Sequence, residues 1–187
     1  MERCPWCGTD PLYVKYHDDE WGTPVHDEGR HFEFLLLETQ QAGLSWITIL
    51  KKREAYRKAF EGFDPIRVAR FGDTDIDRLM GDAGIVRNRR KLEASVANAR
   101  AFLSIAERHG SFDAWLWGFV DGKPVQGDRR TMKEIPVTTP LSDTVSAEMK
   151  KLGFKFVGST TIYAHLQAIG VVNDHVVSCF RWKEVQQ

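Results

Sequence analysis

Apolar positions recur at helical spacing along most of the chain. Between about Arg30 and Gln40 the repeat runs through Phe32, Leu35, Leu36 and Thr39, and Gly43 breaks it. Ser45 then stands where an N-cap would open a helix carrying Trp46, Ile49, Leu50, Tyr56 and Phe60, with Gly62 beyond its end. A third helix is predicted over 75–82 on Ile76, Leu79 and Met80. After Gly84, a fourth over about 89–107 uses Leu92, Val96, Ala99, Phe102 and Leu103. Shorter helices are predicted near 112–119, 141–151 and 160–168. Residues 121–140 hold Gly122, Pro124, Gly127, Pro136 and Pro140, which predicts an extended surface loop. Strand alternation is missing, so the expected fold class is all-α.

Composition changes that picture little. At 187 residues and 42% apolar content the chain fits one large domain. Its formal net charge is zero, so any nucleic-acid contact must rest on local patches. No apolar run approaches the ~18 residues that cross a bilayer. The first residues lack a signal peptide's apolar core, which makes a cytoplasmic location the expectation. Six tryptophans are many for this length, and Trp6, Trp21 and Trp46 fall in the first quarter.

The three cysteines are Cys4, Cys7 and Cys179, an odd number that argues against a disulfide framework. Cys4 with His17, and His175 with Cys179 about one helical turn later, offer two thiolates and two imidazoles, a set suited to tetrahedral zinc. If the second pair is helical, both side chains share a face. One shared ion would tie the end regions, about 1–25 and 170–187, together. Cys4 and Cys7 also form a CxxC pair that could itself chelate. Unrelated buried thiols and surface histidines are the alternative.

Residues 75–101 read as helix, tight turn, helix, and the second helix opens with Arg89, Arg90 and Lys91. A helix N-terminus beside cations favours phosphate and reads backbone rather than base sequence. A helix-hairpin-helix motif would use Gly84, Arg87, Arg89 and Lys91 in this way. Val86 stands where that motif usually has a second glycine. The alternative is a common helical hairpin with a solvated basic end.

Glu38 borders the apolar face of the first predicted helix, where an acid is costly to bury without a partner. Either it sits exposed at a helix edge or it lines a cavity. Tyr13, Tyr16 and Trp21 lie between Trp6 and Trp46 and could equally be core or pocket. The turn 40–45 carries Gly43 and an apolar Leu44 in polar surroundings, a suitable wedge into a base stack.

These strings converge. Asp10-Pro11-Leu12-Tyr13, Tyr16-His17-Asp18-Asp19-Glu20-Trp21-Gly22, Gln40-Gln41-Ala42-Gly43-Leu44-Ser45-Trp46, Gly153-Phe154-Lys155-Phe156-Val157-Gly158 and Val172-Asn173-Asp174-His175 occur in one order. The chain resembles, over nearly its whole length, the 3-methyladenine DNA glycosylase I (Tag) family of the helix-hairpin-helix glycosylase superfamily. The resemblance implies one structural zinc ion on Cys4, His17, His175 and Cys179, with no role for Cys7. It implies a base pocket of Glu38, Tyr13, Tyr16, Trp21 and Trp46, with Trp6 close by, and Leu44 filling the gap left by an extruded nucleotide. The implied partner is double-stranded DNA containing alkylated bases, and the implied activity is excision of 3-methyladenine by base flipping. A monomer suits that task. The second hairpin helix lacks the aspartate that many members of the superfamily carry there. That absence leaves Glu38 as the candidate acid and no lysine nucleophile, so the expected chemistry is monofunctional.

Two rival readings stay open on sequence. A zinc-stapled DNA-binding module would need no acid beside the aromatics. A zinc hydrolase would need an open coordination position, which four protein ligands close.

Overall fold

The computed structural model describes residues 1–186. Ten helices run in chain order through them: α1 Pro11–Asp19, α2 Glu28–Gln41, α3 Trp46–Ala59, α4 Pro65–Val68, α5 Asp73–Gly81, α6 Arg89–His109, α7 Phe112–Trp117, α8 Pro140–Lys151, α9 Ser159–Ala168 and α10 Phe180–Glu184. Side-chain caps explain many of their starts, because the first amides of a helix have no partner inside it. Asp27 accepts from the Arg30 amide, Asn88 from Lys91, Ser111 from Ala114, and Thr139 from Ser142. The predicted Ser45 cap stands at its position, but its hydroxyl bonds Thr48 Oγ1 instead of a backbone amide.

The pattern left α1 unassigned because polar residues interrupt its apolar face, although Asp10 capping Leu12 with Pro11 at the first position is a clear start signal. α4 and α10, at 4 and 5 residues, are too short for periodicity to register. The 121–140 stretch is irregular as expected, with one addition. Val125–Gln126 (β1) pairs in parallel with Val172–Asn173 (β2), in register Val125 to Val172 and Gln126 to Asn173. This short ladder fastens the loop to the segment leading into the carboxyl end.

α2 is the hub. α3, α6, α7 and α9 all pack against it, and every residue from His31 to Gln40 is buried. The sequence pattern predicts a helix with one apolar face, yet this one is enclosed all round. Its buried polar groups therefore need partners inside the protein. His31 Nε2 meets Asp113 at 2.8 Å, and Thr39 donates to the Leu36 carbonyl at 2.8 Å. Glu33 accepts from Arg30, Arg53 and Arg57 at 3.0, 2.8 and 2.6 Å. Gln40 donates to the Lys91 carbonyl and to Ser95. Apolar contact completes the packing, with Phe32 and Phe112 against Phe102 at centroid distances of 5.4 and 4.4 Å.

One buried base on α9 lacks such support. His165 has no hydrogen bond at either ring nitrogen, and burial, reinforced by His31, lowers its pKa from 6.5 to about 3. The unfolded chain takes up this proton below pH 6.5 while the folded chain refuses it, so stability is full above pH 6.5 and falls toward pH 3. Replacing His165 with leucine should flatten the acid limb of the stability curve, by about 3 kcal/mol between pH 6.5 and pH 4. Urea melts of both proteins across that range measure it, and parallel limbs would refute it.

Candidate active site

Three segments bring aromatic rings to one place: the turn before α1, α1 with the residues after it, and the start of α3. Trp6, Tyr13, Tyr16, Trp21 and Trp46 line a cavity of about 210 Å³, and Glu38 of α2 forms part of the same wall. Trp6 lies 5.0 Å from both Tyr13 and Trp21, centroid to centroid, and Tyr16 lies 5.5 Å from Trp46. Interplanar angles of 50° to 68° mean that none of these pairs is stacked. The rings hold one another by tilted and edge-to-face contacts, without parallel stacking.

Glu38 is 3% exposed, and no described residue pairs with its carboxyl. It is the exception among the buried polar groups of α2. Burial alone pushes its pKa up to about 8. Burial and then Glu38 raise the Tyr16 hydroxyl well above its ordinary range. The indole nitrogens of Trp6 and Trp46 are also buried without acceptors. A carboxyl and two donors, all unpartnered, belong to the walls of one hollow.

The ends of the chain meet directly behind this cage. One ligand atom each from Cys4, His17, His175 and Cys179 falls within 4.8 Å of the others, and all four residues are buried. Cys4 Sγ to His175 Nδ1 and Cys179 Sγ to His17 Nε2 are both 3.4 Å, and Cys179 Sγ to His175 Nδ1 is 3.6 Å. Metal–sulfur and metal–nitrogen bonds of ~2.3 and ~2.0–2.1 Å at a tetrahedral angle require edges of about 3.6 Å, so the donor set fits a divalent ion. The far ring nitrogens are already oriented: His17 Nδ1 lies 2.8 Å from Asp18, and His175 Nε2 lies 3.0 Å from the Trp21 carbonyl. Arg3 in turn grips Asp18 and holds its carboxyl below the usual range.

The two thiols divide one ionisation: hydrogen bonding to Cys179, then burial, holds Cys4 up, while the same bond holds Cys179 down. A divalent cation bound there would let both be thiolates. The one-face argument for His175 and Cys179 does not hold, because Cys179 only caps α10 and His175 lies in the loop before it. Gly22 makes room for that loop, since a Cβ there would fall 2.8 Å from His175 Nε2. Cys7 is buried too, but its thiol donates to the Cys4 carbonyl and it stands outside the four.

The predicted DNA-facing residues divide. Gly43, at φ +81°, and Leu44, 38% exposed, form a projecting turn beside Gln41, which lines the cavity. Arg87 is exposed at the hairpin. Arg89 is exposed but paired with Asp77 and, at 3.8 Å, with Glu93. The Gly84 amide already donates to Asp82 at 2.7 Å, and Val86 donates to the Tyr56 hydroxyl. Gly84 is needed for packing, because a Cβ there would fall 2.9 Å from Ala55 Cβ. Lys91 requires correction as a phosphate contact. It is buried, and its ammonium donates to the carbonyls of Gln40 and Ala42. Sequence reasoning took it for a surface cation because two arginines precede it.

Set beside known proteins, residues 6–182 match the sequence profile of methyladenine glycosylases. The chain belongs to the methyladenine glycosylase family. It is 51% identical to DNA-3-methyladenine glycosylase 1 of Escherichia coli K12, over 96% of either chain. It is 47% identical to DNA-3-methyladenine glycosylase of Haemophilus influenzae, over 95% of this chain and 96% of that one. The solved structure of 3-methyladenine DNA glycosylase I from Staphylococcus aureus, which addresses recognition of 3-methyladenine, superposes with a TM-score of 0.93 at 42% identity, covering 96% of each chain.

Several residues of this methyladenine glycosylase's cavity were not foreseen: Gln41, Met132, Ile135, Ala164 and Gln167. Met132 and Ile135 come from the proline-rich loop, whose irregular sequence gives no periodic signal. Gln167 donates to the buried Asp174 at 2.8 Å, which engages its amide nitrogen. Only the helical repeat of α9 hinted at its placement.

An unpartnered buried acid carries a stability cost. Because Glu38 titrates at about 8 when folded against 4.5 otherwise, stability is full below pH 4.5 and falls as pH rises toward 8. Glu38→Gln should therefore be more stable than the wild type at pH 7, by up to about 3 kcal/mol, with the gain vanishing near pH 4. Denaturant melts at the two pH values decide it.

Proposed function

We infer that this chain is a DNA-3-methyladenine glycosylase, which everts the alkylated base from double-stranded DNA and hydrolyses its bond to deoxyribose, leaving an abasic site. The observation that carries the reading is Glu38, buried and unpaired in the wall of an open aromatic cavity. The family and the full-length relatives agree with it.

Methylation at N3 makes adenine cationic in DNA. Electron-rich ring faces attract such a cation by roughly 0.5–2 kcal/mol per good contact, which neutral adenine does not gain. Eversion costs a few kcal/mol, least for a damaged base, and Leu44 on its turn fills the space left behind. The departing base becomes neutral, so holding the cation tightly favours the ground state and cannot by itself supply the rate. The lability of the leaving group carries much of the rate, Glu38 accepts a hydrogen bond from the 6-amino group, and water captures the sugar. Among the described residues the cavity wall holds no lysine, in keeping with hydrolysis without a Schiff base. Arg87 and the amides that open α6 meet the phosphate backbone. Cavity, turn and hairpin all come from one chain, which suits a monomer.

Zinc is the ion proposed for the cluster: Cys4, His17, His175 and Cys179 would hold it, and bound there it would tie the two end regions together as a structural ion. Its imidazole ligands are the backing of the cage: the His175 ring lies 4.6 Å from Trp21 and the His17 ring 5.3 Å from Trp6.

Chromatography of bases freed from methylated duplex DNA should show 3-methyladenine, with no strand scission and no adduct trapped by borohydride. Absence of free base would overturn the activity, and a trapped adduct would overturn the hydrolytic step. In the same assay kcat/KM should rise as pH approaches about 8, where Glu38 ionises, and Glu38→Gln should flatten the rise. A strong chelator should release one zinc per chain and lower the Tm. An unchanged Tm after metal loss would contradict a structural ion.

A further inference from the structure

The ammonium of Lys91 lies where no phosphate reaches it, 2.8 Å from the Gln40 carbonyl and 2.6 Å from the Ala42 carbonyl. Gln40 lies in the last turn of α2 and Ala42 is the residue that caps its end, so neither carbonyl has a partner within the helix. Burying an ammonium is costly, and a leucine would fill the space with less penalty. The contacts around it form a continuous polar chain. The Lys91 carbonyl accepts from Gln40 Nε2 at 3.1 Å, and Ser95 bonds both groups at 2.9 and 3.1 Å. The other end of the Gln40 amide accepts from Tyr56, whose hydroxyl receives the Val86 amide of the hairpin. The hairpin is thus tied at two points to the end of α2. Glu38 stands two residues before Gln40, and the Gly43–Leu44 turn begins directly after Ala42. That turn is held by little else: the Leu44 amide donates to Gln41 O, and Gln41 Nε2 donates to Leu44 O.

We propose that Lys91 is a positioning residue, which transmits the seating of the hairpin on the DNA backbone to the Leu44 turn and so sets the depth at which Leu44 enters the base stack. This rests on the glycosylase reading and on Leu44 as the wedge. Lys91 touches neither base nor phosphate. Its loss therefore bears on eversion from a duplex and leaves recognition of the free base alone.

The experiment is a double-mutant cycle of Lys91→Met and Leu44→Ala, with release of 3-methyladenine measured from methylated duplex and from methylated single-stranded DNA. Losing charge-assisted hydrogen bonds should lower duplex kcat/KM by about 10- to 100-fold. Release from single strands, and binding of free 3-methyladenine followed by tryptophan fluorescence, should stay within about twofold. In the Leu44→Ala background the Lys91 change should add little. Equal losses on both substrates, loss of free-base binding, or penalties that multiply would each overturn the proposal. Should Lys91→Met fail to fold, Lys91→Gln, which keeps a donor but loses the charge, carries the same comparison, and Lys91→Arg, which keeps a cation there, should restore duplex release. Failure of the wild type to release base from duplex would strike the glycosylase reading, and a Leu44→Ala variant with full duplex activity would strike the wedge. Either result is distinguishable from failure of the coupling.

Discussion

Five polar side chains of α2, at His31, Glu33, Glu38, Thr39 and Gln40, lie where bulk water does not reach, because helices pack on every side of it. Desolvation forces each to find a partner or to bear the penalty. Four find one within the protein: an aspartate, an arginine cluster, a backbone carbonyl and a helical neighbour. The fifth does not, and the site is built around that omission. A group with unmet hydrogen-bonding capacity, walled by ring faces, keeps its interaction energy in reserve for a guest. The same omission destabilises the fold, as is common where function and stability compete for one residue.

The four-residue Cys/His cluster and the pocket form one construction. Joining residues at opposite ends of a chain removes much of the freedom of the unfolded state and makes ion binding a contribution to folding. Here the imidazoles that close the cluster are also the surface on which Trp6 and Trp21 rest. Asp18 and the Trp21 carbonyl orient those imidazoles from behind, so the alignment of the indoles depends on groups that never face the cavity.

Much of this was legible in the chain. α2, α3, α5 and α6 follow from periodicity with punctuating glycines, since packing of an apolar stripe leaves a direct trace in sequence. Glu38 stood out as an acid beside leucines, but the residues alone left it either exposed at a helix edge or lining a cavity, and only the family resemblance chose the cavity. Periodicity could not show that α2 is enclosed rather than amphipathic, because burial of the second face depends on neighbours remote in sequence. Lys91 misled for a related reason: a basic run reads as surface until a distant helix end is found waiting for one of its members. His175 and Cys179 were paired by helical spacing, and the loop that holds them obeys no period. Met132, Ile135 and Gln167 reach the cavity through tertiary placement alone.

The edge-on arrangement of the cage rings has a bearing on how a lesion is found. Edge-to-face and tilted contacts set these rings at steep angles, and Trp6 and Trp21 also rest on the imidazoles of His17 and His175. The hollow therefore stands open before any guest arrives. An arriving nucleobase would meet ring faces and an unpaired acid that already line one hollow.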